Sequence, residues 1–260
     1  MNMSKTILLR GRVVGGGSEP LVCAPLVARD LDGLRAEASA VLSKGPDLLE
    51  WRVDFFEALE DVARMVEAAR ELRRIAPELP LIYTRRSIRE GGQPIRASED
   101  TVSRGIEAVC AEGVVDFVDC ELSSEPEHFR RAQQAAKSCG ALLIASFHDF
   151  QRTPGAAELA ERFDKAQQLG ADLAKVAVMP RELDDVLTLL QATLDASRRV
   201  SMPLITMSMG PYGALTRLIG WMFGSTVSFA VGASASAPGQ IPIEELRTVL
   251  GVLQRSLAAR

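Results

Sequence analysis

The sequence predicts a (β/α)8 barrel, eight parallel strands ringed by helices, as one domain over residues 1–260. Three observations carry this. Strand-like and helix-like stretches alternate eight times from Pro20 onward. The length, 260 residues, is that of such a barrel. Polar residues recur where the strands end, and in a barrel those ends share the rim that carries the active site. An open doubly wound sheet also alternates strands and helices. The count of eight and the polar strand ends favour the barrel.

The elements follow in order. Residues 6–14 hold two short apolar pieces around Arg10-Gly11-Arg12, then Gly15-Gly16-Gly17. This reads as a hairpin or extended leader, residues 1–17. The glycine run lacks a following lysine and helix, which argues against a phosphate loop. Residues 21–27 form the first barrel strand, and 31–43 a helix stopped by Gly45-Pro46. The second strand is 48–53, with a helix over 59–75. The third is 81–84; a polar loop containing Gly91-Gly92 leads to a helix over 99–112. The fourth strand is 114–119 and its helix 126–138. The fifth is 141–147, its helix 156–169. The sixth, 173–178, is apolar on both faces, as in a sheet covered on both sides, and its helix spans 183–197. The seventh is 203–207, with a helix over 212–223. The eighth is 226–230, and a helix over 243–257 closes the chain.

Composition narrows the function. A net charge of -4 argues against a general nucleic-acid binder. Interleaved charges leave no polybasic patch for a membrane, and no apolar run reaches spanning length. Arg10 and Arg12 interrupt the apolar start, so no signal peptide is expected and the protein is expected in the cytoplasm. Cys23, Cys110, Cys120 and Cys139 are widely spaced and read as free thiols in a reducing compartment. With only His128 and His148 in the chain, a histidine-rich metal site is not expected.

The chemistry begins with Lys175, set among Leu173, Ala174, Val176, Ala177 and Val178. A lysine there snorkels, finds a carboxylate or loses its proton. Uncharged, it is a nucleophile toward carbonyls and a candidate for an imine. On the second strand, alternation puts Glu50, Arg52 and Asp54 on one face, where Glu50 and Arg52 are spaced to pair. The third strand ends in Arg85-Arg86, one expected on the solvated rim and the other free to hold a carboxylate. His148, at the end of the strand before Lys175, titrates near neutrality and suits proton transfer. Asp149, its neighbour, is expected to cap the loop, and His128 is given no role. Residues 232–240 are small and hydroxyl-rich, and read as a lid over a polyol or as a plain connector. An imine at Lys175 with His148 as proton carrier serves a dehydratase or a class I aldolase; these residues alone leave the reaction open. A barrel that binds a metabolite without catalysis is the third alternative.

The motifs, taken together, resemble the type I 3-dehydroquinate dehydratases, from about residue 21 to the last helix. The resemblance rests on Glu50-Trp51-Arg52-Val53-Asp54, Thr84-Arg85-Arg86-Ser87 with Glu90-Gly91-Gly92, and Ser146-Phe147-His148-Asp149-Phe150. It also rests on Lys175-Val176-Ala177-Val178-Met179-Pro180, Met207-Ser208-Met209-Gly210 with Thr216-Arg217-Leu218, and Ala235-Ser236-Ala237-Pro238-Gly239-Gln240-Ile241. It implies a (β/α)8 barrel whose bottom is closed by an N-terminal hairpin, and a homodimer of the shikimate pathway. The activity implied is that of a hydro-lyase taking water from 3-dehydroquinate to give 3-dehydroshikimate, with no metal or organic cofactor. By position it implies Lys175 as the imine-forming lysine, His148 as the proton shuttle and Glu90 as its carboxylate partner. Arg217 would clamp the substrate carboxylate; Glu50, Arg52 and Arg86 would contact its hydroxyls and ring; Ser236 and Gln240 would be lid contacts. Arg85, Thr216 and Ser234-Ala235 depart from the family pattern, which bears on substrate contacts and lid motion, not on the reaction.

Overall fold

A computed structural model describes residues 6–16 and 19–258. A short antiparallel hairpin, β1 (Ile7–Leu9) and β2 (Arg12–Val14), comes first. The rest of the predicted leader, residues 1–5 and 17, lies outside the described residues. Eight parallel strands follow: β3 (Leu21–Leu26), β4 (Leu48–Arg52), β5 (Leu81–Thr84), β6 (Phe117–Glu121), β7 (Leu142–Asp149), β8 (Leu173–Val178), β9 (Leu204–Ser208) and β10 (Val227–Phe229). Their spatial order is β10-β3-β4-β5-β6-β7-β8-β9. The seam between β9 and β10 is bridged by the Thr226 amide donating to the Leu204 carbonyl at 2.7 Å, so the ring is nearly closed. The fold is the predicted (β/α)8 barrel.

The helices are α1 (Leu31–Leu42), α2 (Val62–Ile75), α3 (Glu99–Ala111), α4 (Pro126–Cys139), α5 (Ala156–Gln168), α6 (Leu183–Arg199), α7 (Gly210–Ile219) and α8 (Ile243–Ala258). Their starts follow local chemistry. Asp30, Asp61 and Ser98 accept hydrogen bonds from otherwise unpaired amides at the starts of α1, α2 and α3. The Asp61 cap starts α2 three residues after the predicted Leu59. The seventh helix is split: Gly220–Phe223 tightens into a 3-10 turn. The fourth strand is displaced furthest from expectation. Val114 and Val115 lie in the approach, while alternation continues through Asp119 and Glu121.

The barrel interior is stacked in layers from alternate strands, as such barrels require. Leu48, Phe117, Leu173 and Val227 come from β4, β6, β8 and β10; Cys23, Ile82, Ile144 and Ile205 come from β3, β5, β7 and β9. Val14 of the hairpin joins this cluster from the bottom. Outward residues pack against the helices instead. Trp51 meets Phe56 and Tyr83 edge-on, with ring centroids 5.6 and 5.7 Å away; such pairs add about 0.5–1.5 kcal/mol each beyond burial.

A repeated aspartate sets the register. Asp47, Asp116 and Asp172 precede β4, β6 and β8. Each accepts an amide near the start of the strand before, from Val22, Leu81 and Leu143, at 2.8, 2.8 and 2.9 Å. Asp116 also binds Arg10 of the hairpin turn and Arg73 of α2, and Asp47 binds Arg12 and Arg247. These pairs pin the hairpin under the barrel. Three residues after each aspartate stands Glu50, Asp119 or Lys175. The repeat that fastens the bottom therefore places the polar layer above it.

Candidate active site

Glu50, Asp119, Lys175 and Phe229, from β4, β6, β8 and β10, form the next layer. Lys175 lies at its centre and is buried, 4% exposed. Its Nζ donates to Glu50 Oε1 at 2.9 Å and Asp119 Oδ2 at 3.2 Å. It also sits 4.4 Å from the Phe229 ring centroid, a cation–π distance. Of the three outcomes open to this lysine, it takes the carboxylate partner. The aliphatic neighbours in sequence, Ala174 and Val176, turn outward into the outer core.

The pairing expected between Glu50 and Arg52 does not occur. Glu50 turns to Lys175 and accepts from Thr84 Oγ1 at 3.0 Å. Arg52 is held by both oxygens of Asp54, at 2.8 Å each. This two-point fit of guanidinium to carboxylate is the stronger geometry, and the chain bend after β4 brings Asp54 into reach.

The two third-strand arginines separate as alternation demands. Arg85 faces outward and pairs with Glu99 of α3, where it is mostly covered rather than free on a solvated rim. Arg86 faces inward, 3% exposed. It donates to Asp119 Oδ1 at 2.7 Å, Ser146 Oγ at 2.9 Å and Glu121 Oε1 at 3.1 Å.

One layer higher, His148 Nδ1 lies 2.9 Å from Glu90 Oε2, and the His148 amide donates to the same oxygen at 3.0 Å. Glu90 closes a 3-10 turn, Ile88–Glu90, that ends in Gly91 at φ +83°. That left-handed backbone suits glycine, and an added Cβ would stand 2.3 Å from the Phe150 ring. Burial, reinforced by the Glu121 charge, raises the Glu90 carboxyl to about 7. Burial and the nearby Arg86, Lys175 and Arg52 charges hold the His148 ring well below its ordinary range. Both directions favour a neutral imidazole, the form that accepts a proton. Asp149 caps the loop as expected, accepting from the amides of Gln151 and Arg152.

Arg217 stands behind the cavity wall. It donates to the carbonyls of Phe229 and Pro238 at 3.1 and 3.2 Å, and its Nε has no partner. Among the described buried arginines it alone has no carboxylate within ion-pair distance. Burial lowers it to about 10. In the loop over the cavity, Gln240 Oε1 accepts from the Ser236 amide at 2.8 Å, and its Nε2 donates to Ser236 Oγ at 3.3 Å. Gly239, at φ +75°, lets this loop lie on the Gly210 backbone; a Cβ there would meet the Gly210 carbonyl at 2.2 Å.

These groups surround a small cavity of about 40 Å³, bounded by Glu50, Arg52, Arg86, Glu90, His148 and Lys175, with Ser236 and Gln240 above. Eight of the nine residues singled out in the sequence thus face one space, and Arg217 adjoins it. Sequence reasoning put Asp54 on the inward face but not as the partner of Arg52, and it gave no role to Asp119, Glu121 or Ser146. The signal for two of them was present: Phe117, Asp119 and Glu121 alternate into the barrel as Leu48, Glu50 and Arg52 do. No group of three or more His, Cys, Asp or Glu among the described residues is placed to hold a metal ion.

A sequence model of the type I 3-dehydroquinases matches residues 22–256. The chain belongs to the type I 3-dehydroquinase family. It is 56% identical over 257 residues to the 3-dehydroquinate dehydratase of Aromatoleum aromaticum, covering 99% of each chain. The crystal structure of the 3-dehydroquinate dehydratase of Geobacillus kaustophilus superposes with a TM-score of 0.95 at 49% identity, covering 100% of both chains. That of the Clostridium difficile type I enzyme, which carries covalently modified comenic acid, gives 0.93 at 36% identity, covering 98% of this chain and 100% of that one.

Proposed function

We propose that this protein is a 3-dehydroquinate dehydratase working through an imine on Lys175. One observation carries the reading: a buried lysine amine and a His148–Glu90 pair open onto the same cavity. The Lys175 amine gives a proton to a neighbouring carboxylate, Glu50 or Asp119, and attacks the ring ketone. The carbonyl oxygen leaves as water, and the resulting iminium draws electrons from the adjacent carbon. Neutral His148 takes the proton from that carbon. The electron pair left behind expels the β-hydroxyl, which takes the proton from His148 and departs as water. A second water then hydrolyses the imine, releasing 3-dehydroshikimate and the free amine. The net change is loss of one water.

Arg217, a buried guanidinium with no carboxylate of its own, supplies the charge that the substrate carboxylate needs. Glu50, Arg52 and Arg86 border the space for the ring and hydroxyls. A cavity of about 40 Å³ holds a few waters, so the cyclic acid enters as Ser236 and Gln240 move aside. Aldol cleavage would use the same lysine and histidine, but the relatives are named as dehydratases. In the test, purified protein is mixed with 3-dehydroquinate and ultraviolet absorbance is followed, with and without a chelator. Growth of a conjugated-enone band, unaffected by chelator, is the expected result. Two carbonyl fragments, or binding without change, would overturn the reading.

We also propose a homodimer. Leu183 and Leu187 of α6, and Tyr212 and Leu215 of the adjoining α7, are exposed apolar side chains on neighbouring helices, a feature common at interaction faces. Sedimentation at micromolar concentration is expected to give twice the chain mass, and Leu187→Glu with Leu215→Glu to give single chains. A parent that sediments as single chains would refute it.

A further inference from the structure

We infer that Glu121 is a positioning residue for the reaction: by occupying Arg86, it keeps Glu90 out of hydrogen-bond reach of the guanidinium and able to exchange a proton with His148. This rests on the reading of His148 and Glu90 as the proton-transfer pair. The geometry is a competition of three carboxylates for one guanidinium. Arg86 Nη2 lies 2.7 Å from Asp119, and Nη1 lies 3.1 Å from Glu121. Glu90 is left at 3.7 Å, beyond hydrogen-bond distance. Its Oε2 is therefore directed to His148 at 2.9 Å.

Glu121 is built into that position. It is buried, 3% exposed, and its Oε1 also accepts the Ser87 amide at 2.7 Å. It thus anchors the chain where β5 leads into the turn that carries Glu90. The β6 end is anchored in turn, with the Leu122 amide on the Ser146 carbonyl at 2.7 Å and Lys165 Nζ on the Leu122 carbonyl at 2.9 Å. Ser123, the next residue, donates to Glu90 Oε1 at 2.7 Å.

Glu121 and Ser123 act on Glu90 in opposite senses. A second buried carboxylate disfavours the ionised form, whereas a hydroxyl donor favours it. The other charged groups around Glu90 are Arg86 itself, Asp119 on β6, His148 on β7, Lys175 on β8, and Glu50 and Arg52 on β4. Arg86, Lys175 and Arg52 favour a charged Glu90; Asp119 and Glu50 oppose it. Removing the Glu121 charge frees Arg86 to close on Glu90, so both consequences push the same way.

The test follows the glutamate carboxyls of the whole protein by carbon-13 NMR across pH, alongside the pH–rate profile with 3-dehydroquinate. Glu90 is assigned by its loss in Glu90→Gln. In the parent, Glu90 is expected to titrate at about 7, and the rate to fall below that pH as the carboxylate that orients His148 is lost. Glu121→Gln keeps the shape and an acceptor for the Ser87 amide. It should move both the Glu90 titration and the acid limb down by about one unit. Ser123→Ala should move both up by about half a unit. Titration or acid limb in Glu121→Gln at the parental position, or higher, overturns the inference. Thermal melting checks that each variant is folded; if Glu121→Gln is not, Glu121→Asp, which shortens the side chain away from Arg86, decides: it should also lower the Glu90 titration, and a titration at the parental position or higher overturns the inference. Borohydride trapping on Lys175 tests the underlying reading separately. If the parent forms no adduct, the titration of Glu90 in the free protein still shows whether Glu121 sets it.

Discussion

Lys175→Ala is expected to lower the dehydration rate by about 10⁴-fold or more and to abolish the borohydride-trapped adduct with 3-dehydroquinate. No other described lysine occupies the polar layer, and the amine is the group that would bond to substrate. Mass spectrometry of the trapped parent should place the adduct on the peptide containing Lys175. The variant should remain folded, because alanine fits a barrel interior, although Glu50 and Asp119 then face each other without their shared cation. That loss lowers stability, since it leaves buried carboxylates uncompensated. Asp119 keeps Arg86, while Glu50 keeps only its Thr84 hydroxyl. A trapped adduct at a different lysine, or substantial turnover by Lys175→Ala, would show that the imine forms elsewhere.

His148→Ala is expected to form the imine yet turn over about 10³-fold more slowly, about 4 kcal/mol in the barrier. The separation follows from position. Lys175 reaches its carboxylate partners one layer below His148, so those two contacts do not depend on the imidazole. The proton on the carbon beside the iminium, in contrast, has no other neutral base above it. Glu90 loses its histidine in this variant and remains buried. Single-turnover mixing followed by borohydride should therefore trap the covalent intermediate in high yield while product appears slowly. A variant that releases product at nearly the parental rate would remove His148 from proton transfer. One that fails to form the adduct would give it a role in imine formation instead.

How much of this could be read from residue order varies with the range of the interaction. The strand and helix alternation is local, carried by apolar periodicity, proline and glycine, and the barrel follows from it. Position along a strand also decides which side chains look inward. That is why Glu50, Arg52, Arg86, His148 and Lys175 could be placed on one rim. The fourth strand shows the limit. Val114 and Val115 are apolar enough to seem part of it, but Asp116 must bind the Leu81 amide and Arg73 across the barrel bottom. That requirement starts β6 at Phe117 and turns Asp119 and Glu121 inward.

Partner choice was not legible. Arg52 stands two residues from both Glu50 and Asp54, and spacing alone is silent between them. The bend after β4 and the arrival of Lys175 from β8 decide it. Arg86 similarly binds acids from β6 and a hydroxyl from β7, while Glu90, four residues away, is left for His148. The residue order by itself determined the barrel and its family, and it named the candidate reactive groups. Those depend on short-range periodicity and on motifs contiguous in the chain. Only the tertiary structure decided which charge neutralises which, because Lys175 and Arg86 take their acids from other strands, which meet only when the barrel forms. It thereby left Arg217 without an acid and Glu90 without a hydrogen bond to the Arg86 guanidinium.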